Sequence, residues 1–160
     1  KETISPSMDI QIASNFERLI FDVCSHNSEK ILKLMNRLNK ENQFELEKNE
    51  LYKIKEIFLA ESLTDDETKK IIEQIYKSNK IHIDPHTAVG IGAMKKIGLK
   101  GNSIILSTAH PSKFSEVVKK ITNSNPELPG NLKNLLVKKE KYAKLSNNIA
   151  DIKNYILERV

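Results

Sequence analysis

Residues 80–120 constrain the fold more than any other part of the sequence. A short β-favouring run lies at residues 81–83, and a second run at residues 103–107 is apolar enough to be buried on both faces, as parallel strands are. Each run is followed by a helical pattern of apolar residues. The order strand, helix, strand, helix predicts an α/β fold with parallel strands over residues 81–122.

Capping residues mark both ends of the predicted helix that follows residues 81–83. Asp84 can cap the helix and Pro85 can occupy its first position, while Gly98 follows the last apolar residue as a C-cap. Because parallel strands end at the same edge of a sheet, we expect Asp84 and Thr108 to emerge together at the carboxyl edge. Open α/β sheets bind their ligands at that edge.

The rest of the chain is predicted to be mainly helical, although residues 40–53 are indecisive and residues 55–59 could form a strand. Thr64 and Glu67 have the spacing of a capping box, as do Ser14 and Glu17. We interpret the whole chain, residues 1–160, as a single segment of three parts. Its parts are a mainly helical insertion at 28–80, the strand-helix-strand-helix unit at 81–122 and a helical tail at 123–160.

Charge and cysteine content exclude several classes of protein. The net charge is +5, but the excess is almost all lysine dispersed among acidic residues, which is typical of a solvated surface and argues against nucleic-acid binding. No run approaches the ~20 apolar residues of a membrane span. Cys24 is the only cysteine, so neither a disulfide framework nor a cysteine-based zinc site is expected. We expect a cytoplasmic protein without a metal.

The sequence does not fit the motifs of two classes of hydrolase, the zinc hydrolases and the serine hydrolases. His82 and His86 are four residues apart, but Pro85 breaks the one-faced helical geometry that a zinc site of the HExxH type needs. Ser107 and His110 could serve a serine hydrolase only within a nucleophile elbow such as GxSxG, which the sequence lacks.

Three segments together resemble threonine synthase, a pyridoxal-phosphate family of fold type II. They are SPSMDIQIASNFERLIFD at 5–22, DPHTAVG at 84–90 and LSTAHPSKF at 106–114. They occur in the order found in that family, and the resemblance is to the carboxyl-terminal part of its longer bacterial and fungal form. It implies that residues 1–160 are a single carboxyl-terminal segment of a larger enzyme. It implies a lyase of threonine biosynthesis that converts O-phospho-L-homoserine and water to L-threonine and phosphate.

The resemblance also implies contacts with the cofactor. A neutral hydroxyl at the end of a core strand meets the pyridine nitrogen in fold type II enzymes. Thr108 is the first choice for this contact and Ser107 the second, because a strand's side chains alternate and the register is open by one residue. Asp84 resembles a residue beside the cofactor ring, although it is equally explained as a helix cap.

Further residues are candidates for substrate binding: His110, Thr87, His86, Arg18 and Asn15. His110 could orient Thr108 or approach the substrate phosphate. Arg18 could bind a phosphate or a carboxylate, but a structural ion pair with Asp22 at i, i+4 is the favoured interpretation.

Two parts of the family's machinery have no match in this sequence. The lysine that joins the cofactor covalently, in a motif like SFKD, is absent, and so is the Gly-rich phosphate loop. We expect both upstream, in the rest of the same polypeptide, and we expect this fragment alone to be inactive. The alternatives are a sister fold type II lyase acting on another amino acid and a non-catalytic remnant module.

Overall fold

A computed structural model of the chain describes residues 2–160. Seven α-helices follow in order: α1 Ser14–Val23, α2 Ser28–Glu41, α3 Lys48–Lys55, α4 Asp65–Asn79, α5 Pro85–Ile97, α6 Ser115–Thr122 and α7 Ile149–Leu157. Short 3-10 helices lie at Pro6–Met8, Pro111–Phe114, Gly130–Leu132 and Leu135–Val137. Within residues 2–160 no helix is long and apolar enough to cross a membrane.

The predicted parallel strands are not confirmed. Residues 81–83 and 103–107 run without strand pairing, and residues 2–160 contain no β-strand. A strand is defined by hydrogen bonds to a neighbouring strand, and the two segments do not pair with each other. Ile104 and Leu106 are accordingly 92% and 75% exposed, whereas the sequence predicted burial on both faces.

Helix-end chemistry is confirmed at α4 and α5. The Thr64 side chain accepts a hydrogen bond from the Glu67 N–H, and the Glu67 carboxylate accepts one from the Thr64 N–H at 2.7 Å. Asp84 caps α5, and Gly98 ends it at φ +71°. The capping box predicted at Ser14 is wrong, because α1 begins at Ser14 itself and its N-cap is the preceding alanine.

Helices α1, α2 and α3 form one packed cluster. Its buried residues are Ile20, Val23, Cys24, Ile31 and Leu34. Inside it, the Cys24 thiol donates to Glu50 at 3.2 Å, and Lys30 reaches the same carboxylate at 2.5 Å. Burial, followed by the hydrogen bond to Glu50, raises the pKa of Cys24 to about 11. Burial also acts to raise the pKa of Glu50, but the hydrogen bonds from Lys30 and Cys24 outweigh it and the net pKa lies below the ordinary 4.5.

Helices α4, α5 and α6 pack together in a second cluster, with α5 and α6 both against α4. Ile72, Ala88 and Val118 are fully buried there, one from each helix. The first compact unit of the chain extends to Pro126 and contains both clusters. A separate compact unit, Glu127–Val160, contains α7 and two 3-10 turns. The predicted division at 28–80, 81–122 and 123–160 stays a prediction.

Candidate functional site

Asp84 is the centre of a buried polar cluster at the start of α5. Its side chain is fully buried, and one oxygen, Oδ1, accepts from the His86 backbone N–H at 2.9 Å and lies 2.9 Å from His86 Nδ1. The other oxygen accepts from the Thr87 hydroxyl. A buried carboxylate is costly unless such donors surround it. We call Asp84, His86, Thr87 and Ser107 the Asp84 cluster.

The contacts of His86 fix its tautomer. Nε2 accepts a hydrogen bond from the backbone N–H of Ser7 at 3.1 Å, so it carries no proton. Nδ1 therefore carries the ring proton and donates it to Asp84. The residue is 4% exposed, and its ring packs against Phe114 with centroids 4.8 Å apart. His86 thus connects segments that lie 79 residues apart in sequence.

The cluster extends to the segment that follows α5 through two hydroxyls. Thr87 Oγ1 lies 3.4 Å from Ser107 Oγ, at the long end of hydrogen-bond distances. Thr87 has one hydroxyl hydrogen, and the carboxylate of Asp84 can only accept. Thr87 is the donor in this contact as well, so its single hydrogen is shared between Asp84 and the more distant Ser107.

Residues 102–108 form neither helix nor strand. Ile105 lies against α5, since a Cβ built at Gly90 would be 3.3 Å from Ile105 Cγ2, and Ser107 meets Thr87 one turn earlier on the same helix. Ile104 and Leu106 are exposed, and so are Ser107 and Thr108. Within residues 2–160 the Thr108 hydroxyl makes no hydrogen bond.

His110 caps the short helix that follows it. Its Nδ1 accepts from the Ser112 N–H at 3.3 Å and lies 2.7 Å from the Ser112 hydroxyl, so His110 caps the 3-10 helix Pro111–Phe114. No hydrogen bond joins it to Thr108 among the described residues. With Nδ1 accepting, Nε2 carries the ring proton in the neutral form and is left as an exposed donor.

Asn15 and Arg18 lie in the other helical cluster, on α1, and do not join the Asp84 cluster. The Arg18 guanidinium donates to Asn15, and both side chains are exposed. The predicted ion pair between Arg18 and Asp22 is wrong, because Asp22 contacts His26 Nε2 instead, at 3.1 Å. The free donors of Arg18 face solvent.

A large cleft lies apart from the Asp84 cluster. Its volume is about 950 Å³, and segments 2–9 and 61–69 line most of it. Its walls carry six carboxylate residues against two lysines, Lys69 and Lys96, so it disfavours a phosphate. None of the predicted site residues lines this cleft. No cluster of potential metal ligands occurs in the part of the chain that the structure describes.

Two contributors were not predicted from the sequence as parts of this site. Ser7 uses its backbone N–H, which any residue but proline would provide, so its identity carries no signal. Phe114 lies within the helical pattern predicted after residues 103–107, and its contact with His86 depends on the tertiary arrangement.

Comparison with known proteins identifies the family. The family profile described as "Threonine synthase, C-terminal" matches residues 87–156. Threonine synthase of Pseudomonas aeruginosa is 32% identical over 157 residues, which cover 96% of this chain and 34% of that protein. The Saccharomyces cerevisiae enzyme is 35% identical over 134 residues, covering 72% of this chain and 26% of that protein.

Solved structures agree with the sequence comparison. The crystal structure of PLP-bound threonine synthase from Brucella melitensis superposes with a TM-score of 0.83 at 34% identity, over 99% of this chain and 34% of that one. Threonine synthase from yeast gives a TM-score of 0.76 at 30% identity, over 99% of this chain and 36% of that one. The chain spans about a quarter to a third of the length of the relatives it matches. It therefore belongs to the threonine synthase family and corresponds to the carboxyl-terminal part of that enzyme.

Proposed function

We propose that the complete protein is a threonine synthase that converts O-phospho-L-homoserine and water to L-threonine and phosphate with pyridoxal phosphate. The observation that carries the proposal is the match of nearly the whole chain to threonine synthases, among them a structure described as PLP-bound. This chain would contribute one side of the cofactor site. The covalent lysine and the phosphate loop would come from the rest of the polypeptide, which is the expected partner of this segment.

The residues present fit one edge of the cofactor. Thr108 offers an exposed hydroxyl whose hydrogen is not used within residues 2–160, and this is the group that an unprotonated pyridine nitrogen can accept from. A neutral hydroxyl, unlike a carboxylate, does not hold that nitrogen protonated by charge. When bound, the cofactor supplies the electron sink that removal of a carbon-bound proton requires.

The other candidates divide into two groups by what their polar atoms already contact. His110 keeps an exposed Nε2–H, and Arg18 and Asn15 are exposed, so these three are free to reach the substrate phosphate or carboxylate. Direct contact of His86 and Thr87 with the substrate stays a prediction. Their polar atoms already bond Asp84, Ser7 and Ser107, which supports a role in holding the site rather than touching the substrate.

We infer a cytoplasmic location from the cysteine content of the chain. Cys24 is free and buried, which suits a reducing compartment.

The test uses the full-length protein. Purified protein with pyridoxal phosphate receives O-phosphohomoserine, and inorganic phosphate, threonine and the visible absorbance of the bound cofactor are followed together. Equal amounts of phosphate and threonine support the proposal. Cofactor absorbance without threonine would indicate a sister lyase, and the absence of cofactor absorbance would indicate a non-catalytic module.

Thr108→Val and Ser107→Ala test the cofactor contact. Removal of the direct hydrogen bond in Thr108→Val should weaken cofactor binding by more than about fivefold, and Ser107→Ala should weaken it less. A Thr108→Val affinity within about twofold of the parent would remove Thr108 from the site.

A further inference from the structure

We propose that Glu50 is a positioning residue for substrate binding: its carboxylate joins α1, α2 and α3, and it thereby sets the place of Arg18 and Asn15 on α1. The inference rests on the proposed function and on the substrate contacts proposed there for Arg18 and Asn15. It adds a residue that touches no substrate and acts through the position of a helix.

Glu50 is a buried carboxylate that the proposed site does not use. It lies on α3 and is 6% exposed. One oxygen, Oε1, accepts from the Cys24 thiol at 3.2 Å and contacts Lys30 Nζ at 2.5 Å. The other oxygen, Oε2, accepts from the Glu47 N–H at 3.1 Å. A carboxylate is stable in the interior only when such donors surround it, and here they belong to α2 and to the ends of α1 and α3.

Local helix capping explains only one of these two oxygens. Glu50 is the third residue of α3, and its bond to the Glu47 N–H is half of a capping box. Glutamine suits a capping box equally well, but it has an acceptor oxygen on one side and a donor NH₂ group on the other. It cannot accept from Glu47 on one side and from Cys24 and Lys30 on the other. The second carboxylate oxygen therefore serves the contacts between helices.

A further contact from α3 holds the same end of α1. Lys53 Nζ donates to the Val23 carbonyl at 3.2 Å. The last carbonyls of a helix have no partner within it, so this lysine caps α1 from outside. Val23 is the last residue of α1 and Cys24 follows it, and Ile20, one turn earlier, is fully buried. The carboxyl end of α1 is thus fixed to α3 at two successive residues.

The proposed substrate residues lie toward the opposite end of α1. Asn15 precedes Cys24 by nine residues, which is about 14 Å along the axis at 1.5 Å per residue. At that distance a tilt of about 5° at the anchored end moves the amino end by about 1 Å. The Arg18 guanidinium donates to Asn15 and both residues are exposed, so their places follow that of the helix. A misplacement of about 1 Å can lower a rate by up to about 10²-fold.

The experiment uses the full-length protein with pyridoxal phosphate. Glu50→Gln keeps the side-chain shape but leaves an acceptor on one side only. Glu67→Gln is the matched control, because Glu67 is also the third residue of its helix and bonds its own N-cap residue and Lys96. Within residues 2–160 the hydrogen bonds of Glu67 do not reach α1. Kinetics with O-phosphohomoserine give KM and kcat, the visible absorbance gives the cofactor affinity, and amide hydrogen exchange reports on α1.

A second pair of variants changes the contact with α1 alone. Cys24→Ala removes the thiol donor while Lys30 and Glu50 stay paired, and Cys24→Ser keeps a donor at that position. If Glu50→Gln does not fold, the comparison of Cys24→Ala with Cys24→Ser decides the same question. All kinetics are measured at a temperature at which circular dichroism shows each variant folded.

We expect Glu50→Gln to speed amide exchange in α1 and to raise the KM for O-phosphohomoserine by about fivefold to thirtyfold. Its cofactor affinity should stay within about twofold of the parent, because no residue of α1 is assigned to the cofactor. Glu67→Gln should keep the parent KM. Cys24→Ala should show the changes of Glu50→Gln to a smaller extent, and Cys24→Ser should restore the parent values.

A double-mutant cycle links the effect to Arg18. Glu50→Gln and Arg18→Ala should be less than additive in kcat/KM, because the misplacement of a guanidinium that is already absent has no cost. A residue that only stabilised the fold would add its effect in full to that of Arg18→Ala.

Three outcomes would overturn the inference. Unchanged exchange of α1 in Glu50→Gln would show that the carboxylate does not hold this helix. Faster exchange with an unchanged KM, or with full additivity in the cycle, would show that its role is structural alone. A parent-like KM in Arg18→Ala would remove the group that Glu50 is inferred to place. Failure of the proposed function looks different, because the parent protein itself would then form no threonine, and the inference would fall with it.

Discussion

Replacing Asp84 by alanine should destabilise the start of α5 far more than loss of a helix cap does. A capping side chain contributes about 1 kcal/mol. Asp84→Ala also leaves the buried His86 Nδ1–H without an acceptor and the Thr87 hydroxyl with only its 3.4 Å contact to Ser107, at about 1–3 kcal/mol for each donor. The expected cost is therefore roughly 4 kcal/mol, which corresponds to a change of about 10³ in the local opening equilibrium.

Thr64→Ala provides the matched control, because Thr64 caps α4 in the same way at an exposed position. It should cost about 1 kcal/mol, with exchange at the start of α4 faster by about fivefold. Amide hydrogen exchange of the full-length protein resolves both helix starts in one experiment. If exchange at α5 in Asp84→Ala rose no more than exchange at α4 in Thr64→Ala, the buried cluster would have no energetic role beyond capping.

Three further predictions concern the helical clusters. The Cys24 thiol, whose pKa is raised to about 11, should react with a thiol reagent at pH 8 at least tenfold more slowly than it does in urea, and equal rates would contradict its burial. Because the folded-state pKa of Glu50 is lowered, its contribution is present above its ordinary pKa and is lost as the pH falls through the folded value. Circular dichroism of an acid titration should therefore show a weaker acid sensitivity in Glu50→Gln than in the parent, together with lower stability at pH 7. Gly92→Ala places a Cβ in a clash with Leu63 Cδ2, so a thermal melt should show a lower midpoint despite the better helix propensity of alanine, and a raised midpoint would mean that Leu63 moves aside freely.

The features predicted correctly are those in which a residue acts on its own neighbours. Asp84 caps α5 and Gly98 ends it because capping needs only a short polar side chain and a residue that tolerates positive φ. Thr64 and Glu67 form their capping box for the same local reason. The box predicted at Ser14 is wrong because the pattern of residue types does not fix which residue begins the helix.

The features that could not be predicted from the sequence depend on contacts between residues that lie far apart in the chain. The apolar run at 103–107 has the composition of a buried strand, but the structure leaves it unpaired because composition does not supply a neighbouring strand. The bond from Ser7 to His86 spans 79 residues and uses a backbone group. The direction of Thr108 was open in the sequence by one residue. The contact between Ser107 and Thr87 joins residues 20 apart in sequence, and the choice between Thr108 and Ser107 stays a prediction.

The most direct test of the proposed activity follows the oxygen atoms of the reaction. The full-length protein with pyridoxal phosphate receives O-phosphohomoserine in water enriched in oxygen-18, and the products are analysed by mass spectrometry. The proposal predicts one labelled oxygen in the hydroxyl group of threonine and none in the released phosphate, because the carbon–oxygen bond breaks and water adds at the neighbouring carbon. Homoserine as the product, with the label in phosphate, would show simple hydrolysis and would contradict the proposed function.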